Sequence, residues 1–198
     1  MKKIFLFIFI IFFSFAVNSN EKIVTLATVN NISITNIDLK DEMLIIKTLN
    51  NFKEIDQKTL QQSAFQGLLD QAIKEIEIRD NKIEIKDKIE NQALINFKKK
   101  LNDSGIKSKR IYNKIKKKAQ IDYAWNILIS KKYGWKLNVN INEIEQKLIG
   151  LGFVDSNNLE TIKEKNKLIA QEKNKKFNFY SRTHLEQTKR ELLIKIIK

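Results

Sequence analysis

The chain has 198 residues, with no cysteine, no proline and five glycines. That length suffices for one well-buried core, and the missing cysteines exclude a disulfide framework and a thiolate metal site. Lys and Arg number 37 against 23 Asp and Glu, a formal net charge of +14, which favours anionic surfaces as a class. The excess is nearly all lysine, with Arg79, Arg110, Arg182 and Arg190 the only arginines. Base readers favour arginine forks, so A/T-rich coding is a better account of a chain rich in lysine, isoleucine and asparagine than selection for a polyanion.

Met1 to Asn20 has the form of a processing segment. Lys2 and Lys3 make a positive start, and Ile4 to Phe13 is an unbroken apolar run. The run is too short for a comfortable membrane span of about 20 apolar residues. Val17 and Ser19 offer a small-residue cleavage signal, so residues 1–19 are expected to be removed, with an uncleaved N-terminal anchor as the alternative, and residues 20–198 are expected to be exported as one unit.

Val24 to Asp38 then reads as a hairpin running into a helix. Two short apolar-alternating runs flank Asn30-Asn31, and asparagine tolerates the positive φ that a tight turn demands. Thr35 and Asp38 form a capping box for a first helix, Asn36 to Leu49, with Leu39, Met43, Ile46 and Leu49 expected on its inner side. Asp56 caps a second helix, Gln57 to Asp80. Its stripe of Gln61, Phe65, Leu68, Ala72 and Ile76, reinforced by Leu60, Ala64, Leu69 and Ile73, marks it as the central helix. Gly67 within it is expected to permit close packing.

A third helix, Lys86 to Asn102, carries Ile89, Ala93, Leu94, Phe97 and Leu101 and ends at Gly105. Ser108 caps a fourth, Lys109 to Tyr133, with Ile111, Ile115, Ala119, Ile121, Trp125, Leu128 and Ile129 inward, stopped by Gly134. Asn140 and Glu143 cap a fifth carrying Ile144 and Leu148, which ends in Gly150-Leu151-Gly152. A thinly apolar sixth helix is expected over Leu159 to Lys176, and Ser181 is expected to cap a separate last helix to Glu191. Leu192 to Ile197 is the only other strand-like run. A lone hairpin is marginal in water, so this segment is expected to pair with it. The fold class is therefore mostly α: a helical core module with an N-terminal hairpin joined to a C-terminal strand.

Four stretches in this order resemble the core module of the SurA-type periplasmic chaperones. They are LATVNNISITNIDL at the hairpin, AFQGLLDQAIKEIEI from Ala64, IKKKAQIDYAWNILISKKYG from Ile115, and the closing YSRTHLEQTKRELLIKI. The resemblance implies a periplasmic, ATP-independent chaperone that binds unfolded outer-membrane protein precursors. It divides the chain into an N-terminal part (20–149), a junction (150–158) and a closing helix and strand (159–198). Family members usually carry parvulin prolyl-isomerase domains at that junction, where nine residues are too few for a domain of about 50. The implied protein is a chaperone core without isomerase catalysis.

No catalytic or metal constellation appears in the sequence. His184 stands alone in a polar stretch and is expected to be exposed or at the core edge rather than a base. Acidic pairs such as Glu75-Glu77, Asp87-Glu90 and Glu143-Glu145 read as solvated i to i+4 partners of lysines. The lysine runs at Lys98 to Lys100 and Lys116 to Lys118 read as solvated helix faces. No catalytic residue, metal ligand or cofactor is assigned. Tyr133, Trp135 and Phe153, at helix ends and connectors, are the candidate peptide-binding residues. Unfolded precursors are the expected partners, with an anionic membrane surface as a second attraction and no nucleic acid. The alternatives are residual prolyl isomerase activity, or a basic helical protein that binds lipid or nucleic acid.

Overall fold

The computed structural model describes residues 22–51, 53–86, 92–153, 155 and 158–197. The expected export segment, the Asp87-Glu90 pair and Ile89 lie outside the described residues. Strands β1 (Thr25–Val29) and β2 (Ile32–Thr35) form the hairpin, and helices α1 (Asn36–Leu49), α2 (Gln57–Asp80), α3 (Gln92–Asp103) and α4 (Lys109–Tyr133) follow. A 3-10 turn (Gly134–Leu137) leads to α5 (Ile141–Gly150), α6 (Leu159–Glu191) and β3 (Ile194–Ile196).

β1 lies in the middle of an antiparallel sheet ordered β2-β1-β3, so the last strand joins the first as expected. Asn30 makes both joins. Its φ of 49° turns the hairpin. Its backbone N–H donates to Leu193 O at 2.9 Å, while its side-chain oxygen accepts from Leu193 N at 2.9 Å. Thr35 and Asp38 make the expected reciprocal box, closing the hairpin directly onto α1.

The core has three parts joined through α2 and α4. Ala27, Val29 and Ile34 of the sheet cover Leu69, Ala72, Ile73 and Ile76 of α2. Ile78 of α2 continues into Ile121, Ala124, Trp125, Leu128 and Ile129 of α4. Ile45 of α1 meets Phe97, Leu101 and Ile111. Leu185 of α6 packs against the first two groups, which ties the C-terminal helix to both.

Several expectations change. Residues 159–191 form one helix of 33 residues, not two. The segment holds no glycine or proline to break it, and Phe177, Ser181, His184, Leu185 and Thr188 keep a helical stripe toward α4. Ser181 is therefore not a cap; its hydroxyl accepts a hydrogen bond from Trp125 Nε1 at 2.8 Å. The first half of α6 packs on α5 with little burial beyond Thr161, consistent with its thin apolar pattern. In α1 the buried side is Leu39, Asp41, Glu42, Ile45 and Thr48, while Leu49 is exposed. Gln61 and Ala93 are exposed, because the buried stripes run one position round through Leu60 and Leu94. Gly67 is not a close-packing site either. A Cβ there would lie 3.4 Å from Glu42 Oε1, an ordinary contact.

Candidate functional site

The end of α4, the turn after it and the middle of α6 bring three aromatic rings around one ammonium, with a fourth ring, Phe179, edge-on to one of them. Gly134 follows Tyr133 in the α region, at φ −51°. The chain therefore tightens into the 3-10 turn instead of reversing, and Trp135 projects beside Tyr133. Trp135 is 71% exposed. Tyr133 stacks on Tyr180 at 5.1 Å between ring centroids, nearly parallel, and Phe179 meets Tyr180 edge-on at 5.3 Å. Lys136 Nζ lies 4.8 Å from the Trp135 ring centroid, 5.5 Å from Tyr180 and 5.7 Å from Tyr133. A cation over ring faces is favourable by about 0.5–1 kcal/mol at an exposed site. It also keeps Lys136 beside the exposed Trp135.

Beneath the platform a polar chain fixes Tyr133. Tyr133 Oη lies 3.1 Å from His184 Nδ1, and His184 Nε2 lies 2.9 Å from Glu77 Oε1. An ionised carboxylate can only accept, so Nε2 carries the proton and, in the neutral ring, Nδ1 accepts from the tyrosine. Lys132 Nζ donates to the same Glu77 oxygen at 2.7 Å, and the imidazole stacks on Trp125 at 5.5 Å. Burial alone would raise the Glu77 pKa, but the hydrogen bonds and charges of Lys132 and His184 outweigh it and hold the carboxyl below its ordinary value. His184 is thus a core-edge residue with an oriented carboxylate partner that its own neighbourhood in sequence does not reveal.

Of the three expected site residues, the structure brings together Tyr133 and Trp135 but not Phe153. Phe153 follows the far end of α5, whose ten residues rise about 15 Å. There it lines a separate groove of about 210 Å³ with Leu148, Ile149, Thr161 and Ile162, bordered by the Glu145–Lys165 ion pair at 2.7 Å. Phe179, Tyr180 and Lys136 had not been assigned. The signal for them was the Phe177-Asn178-Phe179-Tyr180 run, legible only once α6 is continuous.

Acids and lysines that read as solvated partners within one helix pair between helices instead, whereas Lys98 and Lys99 are exposed as expected. Lys114 Nζ lies 2.6 Å from Asp38 and 2.7 Å from Asp41, and Arg110 is 2.7 Å from Asp41. Lys117 reaches Glu75 at 2.9 Å, and Lys118 pairs with Glu42. With Lys132 on Glu77, five cations of α4 are therefore matched to acids of α1 and α2, and two of those acids, Asp41 and Glu42, are buried. Glu75, Glu77 and Glu145 pair between helices, not within one. Lys100 donates to Leu49 O at 3.0 Å, and Lys98 sits over Tyr112. Among the described residues, no three acidic or histidine side chains could hold a metal ion, and no helix is long and apolar enough to cross a membrane. No protein-family model matches the chain, and no curated protein matches it.

Proposed function

We propose that this chain is a periplasmic, ATP-independent chaperone that holds unfolded outer-membrane precursors by their extended, aromatic segments. The observation that carries the reading is the platform: Trp135, 71% exposed, beside the Lys136 ammonium, and Phe179, 63% exposed, edge-on to the stacked tyrosine pair. Isolated exposed apolar side chains are ordinary. Here two large rings project from a rigid, hydrogen-bonded base, an arrangement that costs little side-chain entropy when a partner covers it. Rings and ammonium together suit a chain that offers aromatic side chains and carboxylates in no fixed order. The net charge, +14 for the whole chain and so 14 − 2 = +12 without Lys2 and Lys3 of residues 1–19, adds a long-range, salt-screened attraction to acidic clients. Proline isomerisation is not part of the proposal.

The test is light scattering from a diluted, unfolded β-barrel precursor in the presence of equimolar protein. Wild type is expected to suppress aggregation, and the double variant W135A/F179A to lose most of that effect while keeping its thermal midpoint. Absence of suppression by wild type, or equal suppression by the variant, would refute the proposal. Binding only to anionic vesicles or to nucleic acid, abolished by salt, would favour a charge-driven role instead.

A further inference from the structure

The platform continues into a second feature along α6. Phe179, Arg182, Glu186 and Arg190 recur at helical spacing and form one stripe on its outer face. Arg110 is paired with Asp41 and Arg79 with Asp80. Among the described residues, Arg182 and Arg190 have no carboxylate within ion-pair distance, although Glu186 stands one turn from each. Both guanidiniums are exposed, and with Thr183, Glu186 and Gln187 they border an open trough that begins at Phe179. These two arginines differ from Arg110, Lys114, Lys117, Lys118 and Lys132 of α4, which acids of α1 and α2 match.

Resting on the chaperone reading, we infer that this stripe is a carboxylate-reading rail, occupied by an extended polypeptide segment with acidic residues at positions i and i+4. The spacing carries the pattern. Arg190 stands eight positions after Arg182 along the helix, a rise of about 12 Å. Four residues of extended chain advance about 13 Å and return to the same side of the strand. The two guanidiniums thus meet side chains i and i+4 of one strand face. Glu186 lies midway and repels a carboxylate at i+2, so that position takes a neutral or basic side chain. Phe179, one turn before Arg182, lies under the next same-face position outward, where an aromatic residue fits. The rail therefore adds a sequence preference to a platform that by itself selects only apolar rings.

The experiment measures binding of two fluorescent peptides to the full chain by anisotropy. Both have one aromatic residue. One carries aspartates at i and i+4, and the other carries asparagines there. The aspartate peptide is expected to bind about five- to tenfold tighter, the gain from two exposed ion pairs. R182Q/R190Q should remove that preference and leave the asparagine peptide's affinity unchanged. Equal binding of both peptides to wild type would overturn the rail while leaving the platform intact. So would an acidic preference that survives R182Q/R190Q, which would come from net charge alone. Failure of both peptides to bind, together with no suppression of precursor aggregation, would overturn the chaperone reading and the rail with it.

Discussion

Replacing Lys114 by methionine probes the charged seam between α1 and α4 in a way that removing its acid does not. The Lys114 ammonium serves both Asp38 and Asp41, and the Asp41 side chain is only 3% exposed. When the ammonium is lost, Asp41 has no water to recruit and keeps only Arg110, itself 62% exposed and sharing its charge with solvent. Removing one partner of a fully buried pair costs about 3–5 kcal/mol, and of an exposed pair about 0–1 kcal/mol. With a buried acid and half-solvated cations, K114M is expected to cost about 2–3 kcal/mol. D41N should cost about 1 kcal/mol, because Lys114 keeps Asp38 and Arg110 returns to water. For a chain of this size those losses lower the thermal midpoint by about 5–10 °C and about 2–4 °C respectively.

The difference also depends on pH. Burial opposes ionisation of Asp38, but hydrogen bonds from Lys114 and Thr35, with the Lys114 charge, hold its carboxyl below the ordinary 3.8. Its contribution is therefore present above that value and lost as pH falls through the lower folded one. Lys114 itself is raised above 10.5 against its own desolvation by Asp38 and Asp41, so its contribution persists until pH rises through the folded value. Urea midpoints followed by circular dichroism should show the full gap between wild type and K114M at neutral pH, closing as the Asp38 carboxyl protonates. A gap that does not change across the acid range, or a D41N loss as large as that of K114M, would refute the reasoning.

Three further changes test other parts of the fold. G67A should stabilise by about 0.5–1 kcal/mol, since a helix-interior glycine gains a methyl that meets Glu42 at ordinary contact distance; a lower thermal midpoint would mean the site is tighter than described. S181A should cost about 1–2 kcal/mol in a urea titration, because it strands the buried Trp125 N–H. Truncation before Leu192 removes the partner of β1 and the packing of Leu192 and Ile194. It should cost about 3 kcal/mol or more and broaden the melt, and an unchanged melt would show that the sheet does not need its third strand.

Local signals carried most of the fold. The Asn30 turn, the Thr35 and Asp38 box, and the Asp56 and Ser108 caps are interactions among near neighbours in sequence, so α1, α2 and α4 have the bounds expected of them. The closing strand was legible because Leu192 to Ile197 was the only other strand-like run. The errors arose where distant partners decide. Apolar periodicity put the inner face of α1 on Met43 and Ile46, but its actual inner face includes Asp41 and Glu42, buried because α4 supplies their cations. Glu77 looked solvated for the same reason; His184, 107 positions away, is its partner. Reading Ser181 as a cap split α6 and hid the Phe179 and Tyr180 half of the platform. Tyr133 and Trp135 were found from their place at a helix end, while Phe153 stands apart because α5 separates it from them.

The most direct test of the platform uses the two tryptophans of the wild-type chain. Trp125 is buried and Trp135 is exposed, so a soluble quencher such as acrylamide should reach Trp135 alone. Quenching is measured while an unfolded, tryptophan-free β-barrel precursor is titrated in. If the client lies on the platform, the quenchable fraction falls and saturates near one client per chain. If Trp135 stays fully quenchable at client concentrations that already suppress aggregation, clients bind elsewhere and the platform is not the site.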